Sequence, residues 1–282
     1  MKENNQLKDF AVFILTHGRP DNQITKKTLE RCGYTGKIFY IVDNEDKSAN
    51  KYIENFGEEN VKIFDKKEMA DSIDEFNNFD NRKVIVHARN ACFHIAKKIG
   101  IKYFVQLDDD YYYFGYRGEN GAVKSTRLND VFTSMLTFIK TANIKTIAFS
   151  QGGDHIGGFS GVKLKRKAMN SFFCSVENEF QFIGGINEDV NTYTTLASRG
   201  NVFFTFTGFQ LDQKDTQSQG SGMTDAYNLQ GTYVKSFHSV LSMPSSVKVS
   251  MMNSRNTPRL HHSVSWKHTT PMIIDQQFKK IN

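Results

Sequence analysis

Residues 103–110 read YFVQLDDD, an apolar run of strand length that passes directly into three adjacent aspartates. The run Tyr103–Leu107 has the composition of a strand buried on both faces. Asp108, Asp109 and Asp110 then stand at its carboxyl end, where adjacent carboxylates repel one another and contribute nothing to stability. A divalent cation relieves that repulsion, and hard oxygen ligands suit Mg²⁺ or Mn²⁺. The plain alternative is an acidic surface turn. In open α/β sheets, ligands collect outside the carboxyl ends of strands, so this turn is the first place to look for a site.

The segments around it repeat a strand-then-helix order. Phe10–Leu15 is an apolar strand that ends in the turn-forming residues 16–20, THGRP. Residues 21–32 suit a helix capped by Asp21 or Asn22 and stopped by Gly33. Lys37–Val42 is a second strand, 48–56 a helix, and Val61–Phe64 a third strand. Residues 84–99 read as a long helix, 128–141 as another, and Thr146–Ser150 as a further strand. This alternation predicts an α/β fold with a Rossmann-like, mostly parallel sheet. Beyond Ser150 the pattern weakens. Residues 150–161 hold five glycines, 163–174 suggest a strand with basic positions, 187–198 a helix and 202–206 a strand. Two polar stretches, 71–80 and 214–224, read as loops, the second of a kind that folds over a ligand. With no repeat and no linker, the expectation is a single domain. Its nucleotide-sugar half covers about 1–150, a smaller acceptor-side lobe about 151–234, and a basic region about 235–282.

Composition narrows the class. The 282 residues are 39% hydrophobic and 23% charged, with 24 Phe and 11 Tyr, enough for a large core without disulfides. Cys32, Cys92 and Cys174 show no metal-binding spacing. No apolar run reaches membrane-span length, and the polar residues 1–8 lack a secretory pattern; the expected location is cytoplasmic. The net charge of +6 resides entirely in residues 235–282, while 1–234 are neutral. A basic end on a neutral body suits a polyanion such as nucleic acid, or is simply a solvated surface.

Several residues are candidates for chemistry. Thr16, His17, Gly18 and Arg19 end the first strand, where Gly18 lets backbone approach a ligand and Arg19 can pair with phosphate or stack on a base. Asp43 ends the second strand and could accept ribose or base hydrogen bonds. Arg89 could hold a diphosphate or form a salt bridge to the aspartates. Asp189, or Glu188 beside it, could take a proton from an attacking hydroxyl, or could only cap a helix. His261, His262 and His268 lie near the only tryptophan, Trp266, and a histidine can complete a metal site.

Residues 10–47 (FAVFILTHGRPDNQITKKTLERCGYTGKIFYIVDNEDK), 87–111 (HARNACFHIAKKIGIKYFVQLDDDY) and 184–200 (GGINEDVNTYTTLASRG) together resemble the TET/JBP-associated glycosyltransferases, enzymes found largely in phages and in the base J pathway of kinetoplastids. The resemblance runs from about residue 10 to about 210, with HHSVSWKHTTP (261–271) a looser match. It implies a GT-A fold, a UDP-sugar donor, Mn²⁺ or Mg²⁺, and transfer to the hydroxyl of a hydroxymethylated pyrimidine in DNA. By position it implies Asp108 and Asp110 as the DxD aspartates, with Asp109 able to substitute for either as a cofactor-binding residue, Asp110 as the likelier direct metal ligand, Asp189 as the base and His262 as a late metal or diphosphate contact. For a phage-encoded chain the location would be the host cytoplasm. A glycan, lipid or protein acceptor, or a silent DNA-binding relative of the same shape, are the competing readings.

Overall fold

The computed structural model describes residues 7–76, 82–142, 144–155, 164–213, 223–254, 257–269 and 273–280. Two compact units emerge: one from 1–66, 88–180 and 203–214, the other from 67–87, 181–202 and 215–282.

The first unit is built on a ten-stranded sheet. Its strands are β1 (Phe10–Leu15), β2 (Lys37–Asp43), β3 (Val61–Phe64), β4 (Tyr103–Asp108), β5 (Tyr111–Gly118), β6 (Gly121–Lys124), β7 (Thr146–Ser150), β8 (Leu164–Lys165), β9 (Phe172–Ser175) and β10 (Phe203–Gln213). The order is β3-β2-β1-β4-β9-β7-β10-β5-β6, with β8 on β10. β3, β2, β1 and β4 run parallel, as do β7 and β10. β9 inserts antiparallel between β4 and β7, so β4 and β7 point the same way and their carboxyl ends share one edge.

All six residues of β1 are buried, as a central parallel strand covered on both faces requires. Phenylalanines form a layer on each face. On one, Phe173 packs against Phe149 at 5.1 Å and Phe132 at 5.4 Å between ring centroids; Phe132 belongs to α5 (Leu128–Ala142). On the other, Phe104 stacks on Phe13 at 4.9 Å and meets Phe93 of α4 (Val86–Lys98) at 5.1 Å. Helix α1 (Ile24–Arg31) starts later than expected, with Gln23 at its cap and no side-chain cap bond. Asp21 is drawn instead into an ion pair with Lys51 of α2 (Ala49–Phe56). Gly33 does end the helix, at φ +83°, and a Cβ there would sit 2.4 Å from the Thr126 carbonyl oxygen, so only glycine fits.

In the second unit are most of α3 (Lys66–Asp71), α6 (Glu188–Ser198), α7 (Met223–Ser242), the antiparallel hairpin β11 (Val247–Ser254) and β12 (Thr257–Val264), and α8 (Trp266–Thr269). α6 is buried along nearly its whole length. Trp266, for which core filling and base stacking were both open, lies against Tyr193 of α6 at 5.7 Å, ring planes 12° apart.

The strand expected over 163–174 divides into β8 and β9, and the one expected over 202–206 runs on to Gln213. Of the glycine-rich stretch, Gly152–His155 forms a single 3-10 turn; residues 156–163 lie outside the described residues. So do 77–80 of the first polar loop and 214–222 of the second.

Truncating the central ring should be costly. Phe173→Ala is expected to destabilise the protein by about 3–5 kcal/mol, read as a lower denaturant midpoint with an unchanged slope.

Candidate active site

The carboxyl ends of β1, β2 and β4 bring together most of the residues singled out from the sequence. At their centre is Asp109, 5% exposed. One carboxylate oxygen accepts from Thr16 Oγ1 at 2.6 Å and the other from Arg19 Nη1 at 2.9 Å. Thr16 is held in turn by Gln23 Nε2 at 2.9 Å and lies 2.8 Å from the Tyr52 hydroxyl. The Tyr52 oxygen also accepts from the Arg19 amide at 2.8 Å. Both oxygens of the middle aspartate are therefore committed to the protein's own frame.

Its neighbours are placed differently. Asp108 meets Arg89 Nη2 at 3.3 Å, the salt bridge that stood as one reading of that arginine. Arg89 is buried in the first turn of α4, with its guanidinium 4.9 Å from the centre of the Phe172 ring. Thr25 ties the turn down from below: its hydroxyl donates to the Asp108 carbonyl at 2.6 Å and accepts from the Tyr111 amide at 2.9 Å. Asp110 is partly buried. Burial, followed by the charges of Asp108 and Asp109, pushes its pKa up to about 7. A carboxyl group in that state is one that a cation would favour.

Asp108 and Asp110 are the two carboxylates of the turn other than the one bound by Thr16 and Arg19. Among the described residues, no group of three or more His, Cys, Asp or Glu side chains is placed to hold a metal ion. Two carboxylates suffice for Mg²⁺, which usually keeps waters and takes substrate phosphates as remaining ligands. The donor set fits such an ion.

Beside this turn, Gly18 (φ +70°) donates its amide to Asp46 Oδ2 at 2.7 Å. His17 Nδ1 is 2.7 Å from Asp43 Oδ2, and Lys66 Nζ is 3.3 Å from Asp43 Oδ1. Burial alone would raise the Asp43 pKa, but His17 and Lys66 outweigh it and hold the carboxyl below its usual range. The Asp43 hydrogen bond raises His17 against its own burial.

Asp189 and Glu188 belong to the second unit, buried in the first turn of α6. Asn187, just before them, adopts the left-handed conformation (φ 54°). Asp189 Oδ1 accepts from the Val190 amide at 2.7 Å; the cap position belongs to Asn187, which makes no side-chain cap bond, and both carboxylates lie within electrostatic reach of Lys235. His262 is on β12 opposite Val249, its ring 4.1 Å from that of His261.

Residues 10–222 match the family described as TET-Associated Glycosyltransferase. The chain belongs to that family. The matched span takes in the aspartate turn, the 16–19 loop and α6 of this glycosyltransferase, and stops before α7 and the hairpin. No curated protein matches the chain. Among solved structures, it is similar to glucosyl-3-phosphoglycerate synthase from Mycobacterium tuberculosis in complex with Mg²⁺ and UDP (7% identity, 92% of this chain, 90% of that one, TM-score 0.46). It is also similar to S. aureus TarS in complex with UDP-GlcNAc (10%, 80%, 65%, 0.42). A third is the mannosyltransferase PcManGT from Pyrobaculum calidifontis in complex with GDP-Man and Mn²⁺ (9%, 84%, 74%, 0.45). These likenesses are too loose to transfer anything to this glycosyltransferase.

Tyr52, Gln23, Thr25, Asp46 and Lys66 were not anticipated. Asp46 lies inside the VDNED stretch, but the others occupy unremarkable helical sequence, and only their tertiary contacts reveal them. No described helix is long and apolar enough to cross a membrane.

The two aspartate classes should separate by stability. Asp109→Asn is expected to cost about 1–3 kcal/mol, because an amide cannot accept at both positions. Asp110→Asn should unfold at an equal or higher temperature than the unsubstituted protein at pH 8 without metal, since a carboxyl with a raised folded pKa costs stability above its unfolded pKa. Thermal melts of both variants check this. The His17 titration, followed by NMR, should lie above 6.5 and fall in Asp43→Asn. Stability from that pair is full below the unfolded histidine pKa and is lost as pH rises through the folded one.

Proposed function

We propose that this protein transfers a sugar from a UDP-sugar to the hydroxyl of a 5-hydroxymethylpyrimidine base in DNA, using a GT-A-type arrangement. The observation that carries the reading is the division of labour in the aspartate turn. Asp109 is bound by Thr16 and Arg19, which supports Asp108 and Asp110 as the pair that would meet a cation at the carboxyl edge of the sheet. Family membership supplies the reaction class, and the +6 charge of residues 235–282 favours a polyanionic acceptor. Such an acceptor places the enzyme in the cytoplasm.

In this reading, Mn²⁺ or Mg²⁺ held by Asp108 and Asp110 would neutralise charge on the departing diphosphate. Thr16, His17, Gly18 and Asp43 border the nucleoside end of the donor, with Asp43 pre-oriented by His17 and Lys66. Arg19 and Arg89 hold Asp109 and Asp108 in place while adding positive potential for the phosphates. Asp189 accepts the proton of the acceptor hydroxyl; that oxygen bonds to the anomeric carbon as the bond to the diphosphate breaks, releasing UDP. Glu188 is the alternative base. We assign the nucleotide-sugar half to residues 1–150, the acceptor side to 151–234 and the main polyanion contact to 235–282. A pyrimidine in a duplex must leave the stack to reach the donor.

The test offers purified protein a panel of UDP-sugars, Mn²⁺ and DNA containing hydroxymethylated pyrimidines, with nucleosides read by mass spectrometry. One nucleoside should gain the mass of one sugar. Asp110→Asn should abolish this, and Asp189→Asn should slow it by about 10²–10⁴-fold. Metal-dependent UDP release without a DNA product would overturn the acceptor, pointing to a glycan, lipid or protein. DNA binding that survives Asp110→Asn with no transfer by any form would indicate a silent binding protein.

A further inference from the structure

Over its last turns, helix α7 is amphipathic in the reverse of the usual sense. At about 100° per residue, Tyr233, Val234, Phe237 and Leu241 fall on one stripe of the helix, and they are 54%, 40%, 37% and 50% exposed. The opposite side carries Ser236, His238 and Ser239, all buried, and Ser242. That polar side is the one seated on α6. Ser239 Oγ accepts from the Asn187 side-chain amide at 3.2 Å, and Ser242 Oγ lies 2.9 Å from Thr195 Oγ1. The β11–β12 hairpin packs along the same helix.

A surface helix ordinarily turns its apolar stripe inward. Here the inward contacts are made by hydroxyls, and four neighbouring apolar side chains are left in water, where folding gains nothing from them. A contiguous exposed patch of this kind marks an interaction surface. Tyr233 and Phe237, one turn apart, are also near-parallel, with ring centroids 5.8 Å apart and planes at 11°.

Charge decides what covers the stripe. Residues 235–282 hold seven Lys or Arg and a single Asp. Lys248 and Arg259 stand exposed on the hairpin that packs along α7, and Lys267 is exposed on α8. A second copy seated on the stripe would bring two such basic regions together, and their like charges would repel. A polyanion is attracted instead. Nucleic acid is a polyanion that also carries flat apolar faces, and aromatic rings flanked by cations are the arrangement that holds its unpaired bases.

We propose that the exposed stripe of α7, through Tyr233 and Phe237, is a base-stacking surface for the acceptor DNA strand. This rests on the DNA-acceptor reading above. Every base has a π face, so the stripe holds unstacked bases without selecting their sequence. A pyrimidine drawn out of a duplex leaves such bases beside it.

The experiment measures binding of a single-stranded 5-hydroxymethylcytosine oligonucleotide by fluorescence anisotropy across a salt series, using the full chain. UDP binding with Mn²⁺ is followed by calorimetry, and the oligomeric state by sedimentation. Tyr233→Ala and Phe237→Ala should each weaken DNA binding by about 5- to 100-fold. The slope of log affinity against log salt should not change, because no phosphate contact is lost, and UDP binding should be unaltered. Tyr233→Phe should bind like the unsubstituted chain, whereas Phe237→Leu, apolar but without a ring, should bind weakly. Full affinity in both alanine variants, or in Phe237→Leu, would overturn the stacking surface and leave the acceptor reading standing. A dimer that Phe237→Ala dissociates, with DNA affinity intact, would overturn it in favour of a second copy. Binding to phosphatidylglycerol vesicles that both alanine variants lose, again with DNA affinity intact, would overturn it in favour of a lipid surface. An unsubstituted chain that does not bind the oligonucleotide would overturn the acceptor reading and this inference together.

Discussion

Both oxygens of Asp109 are bound by residues from the end of β1, and that single carboxylate organises the edge of the sheet. Thr16 and Arg19 reach it from the loop after β1, Tyr52 reaches the same loop from α2, and Gln23 reaches it from the start of α1. Four segments separated by up to 93 residues in sequence are thereby fixed about one buried charge. A buried carboxylate without such partners would be strongly unfavourable. With them it is rigid, and its rigidity passes to Asp108 and Asp110 on either side. Thr25 completes the effect by gripping the backbone of the same turn.

That constraint explains why three aspartates can stand in a row. The middle one is bound by Thr16 and Arg19, and burial still outweighs them and holds its pKa above the usual range. Asp108 meets Arg89 at 3.3 Å, and Asp110 is pushed up by burial and by its neighbours. A cation beside the turn would relieve the repulsion among its carboxylates, and the sheet fixes the turn in advance. Pre-organisation of this kind is the main means by which a protein stabilises charge that develops elsewhere during reaction.

Much of this was legible from residue order. β1, β4 and β7 follow from short apolar runs, because a strand buried on both faces must be apolar throughout. The aspartate turn, the 16–19 loop, Asp43 and the α6 carboxylates were legible as well, because polar residues at the ends of buried strands or helices stand out against their surroundings. The antiparallel β9, the long β10, α7 and the hairpin were not, since their patterns are mixed and their partners distant. Nor could residue order say which aspartate is structural. Asp108, Asp109 and Asp110 are chemically identical, and only the arrival of Thr16 and Arg19 at Asp109 tells them apart. Local pattern determines where a chain is apolar or charged; which charges are neutralised depends on contacts between residues far apart, and those exist only once the sheet has formed.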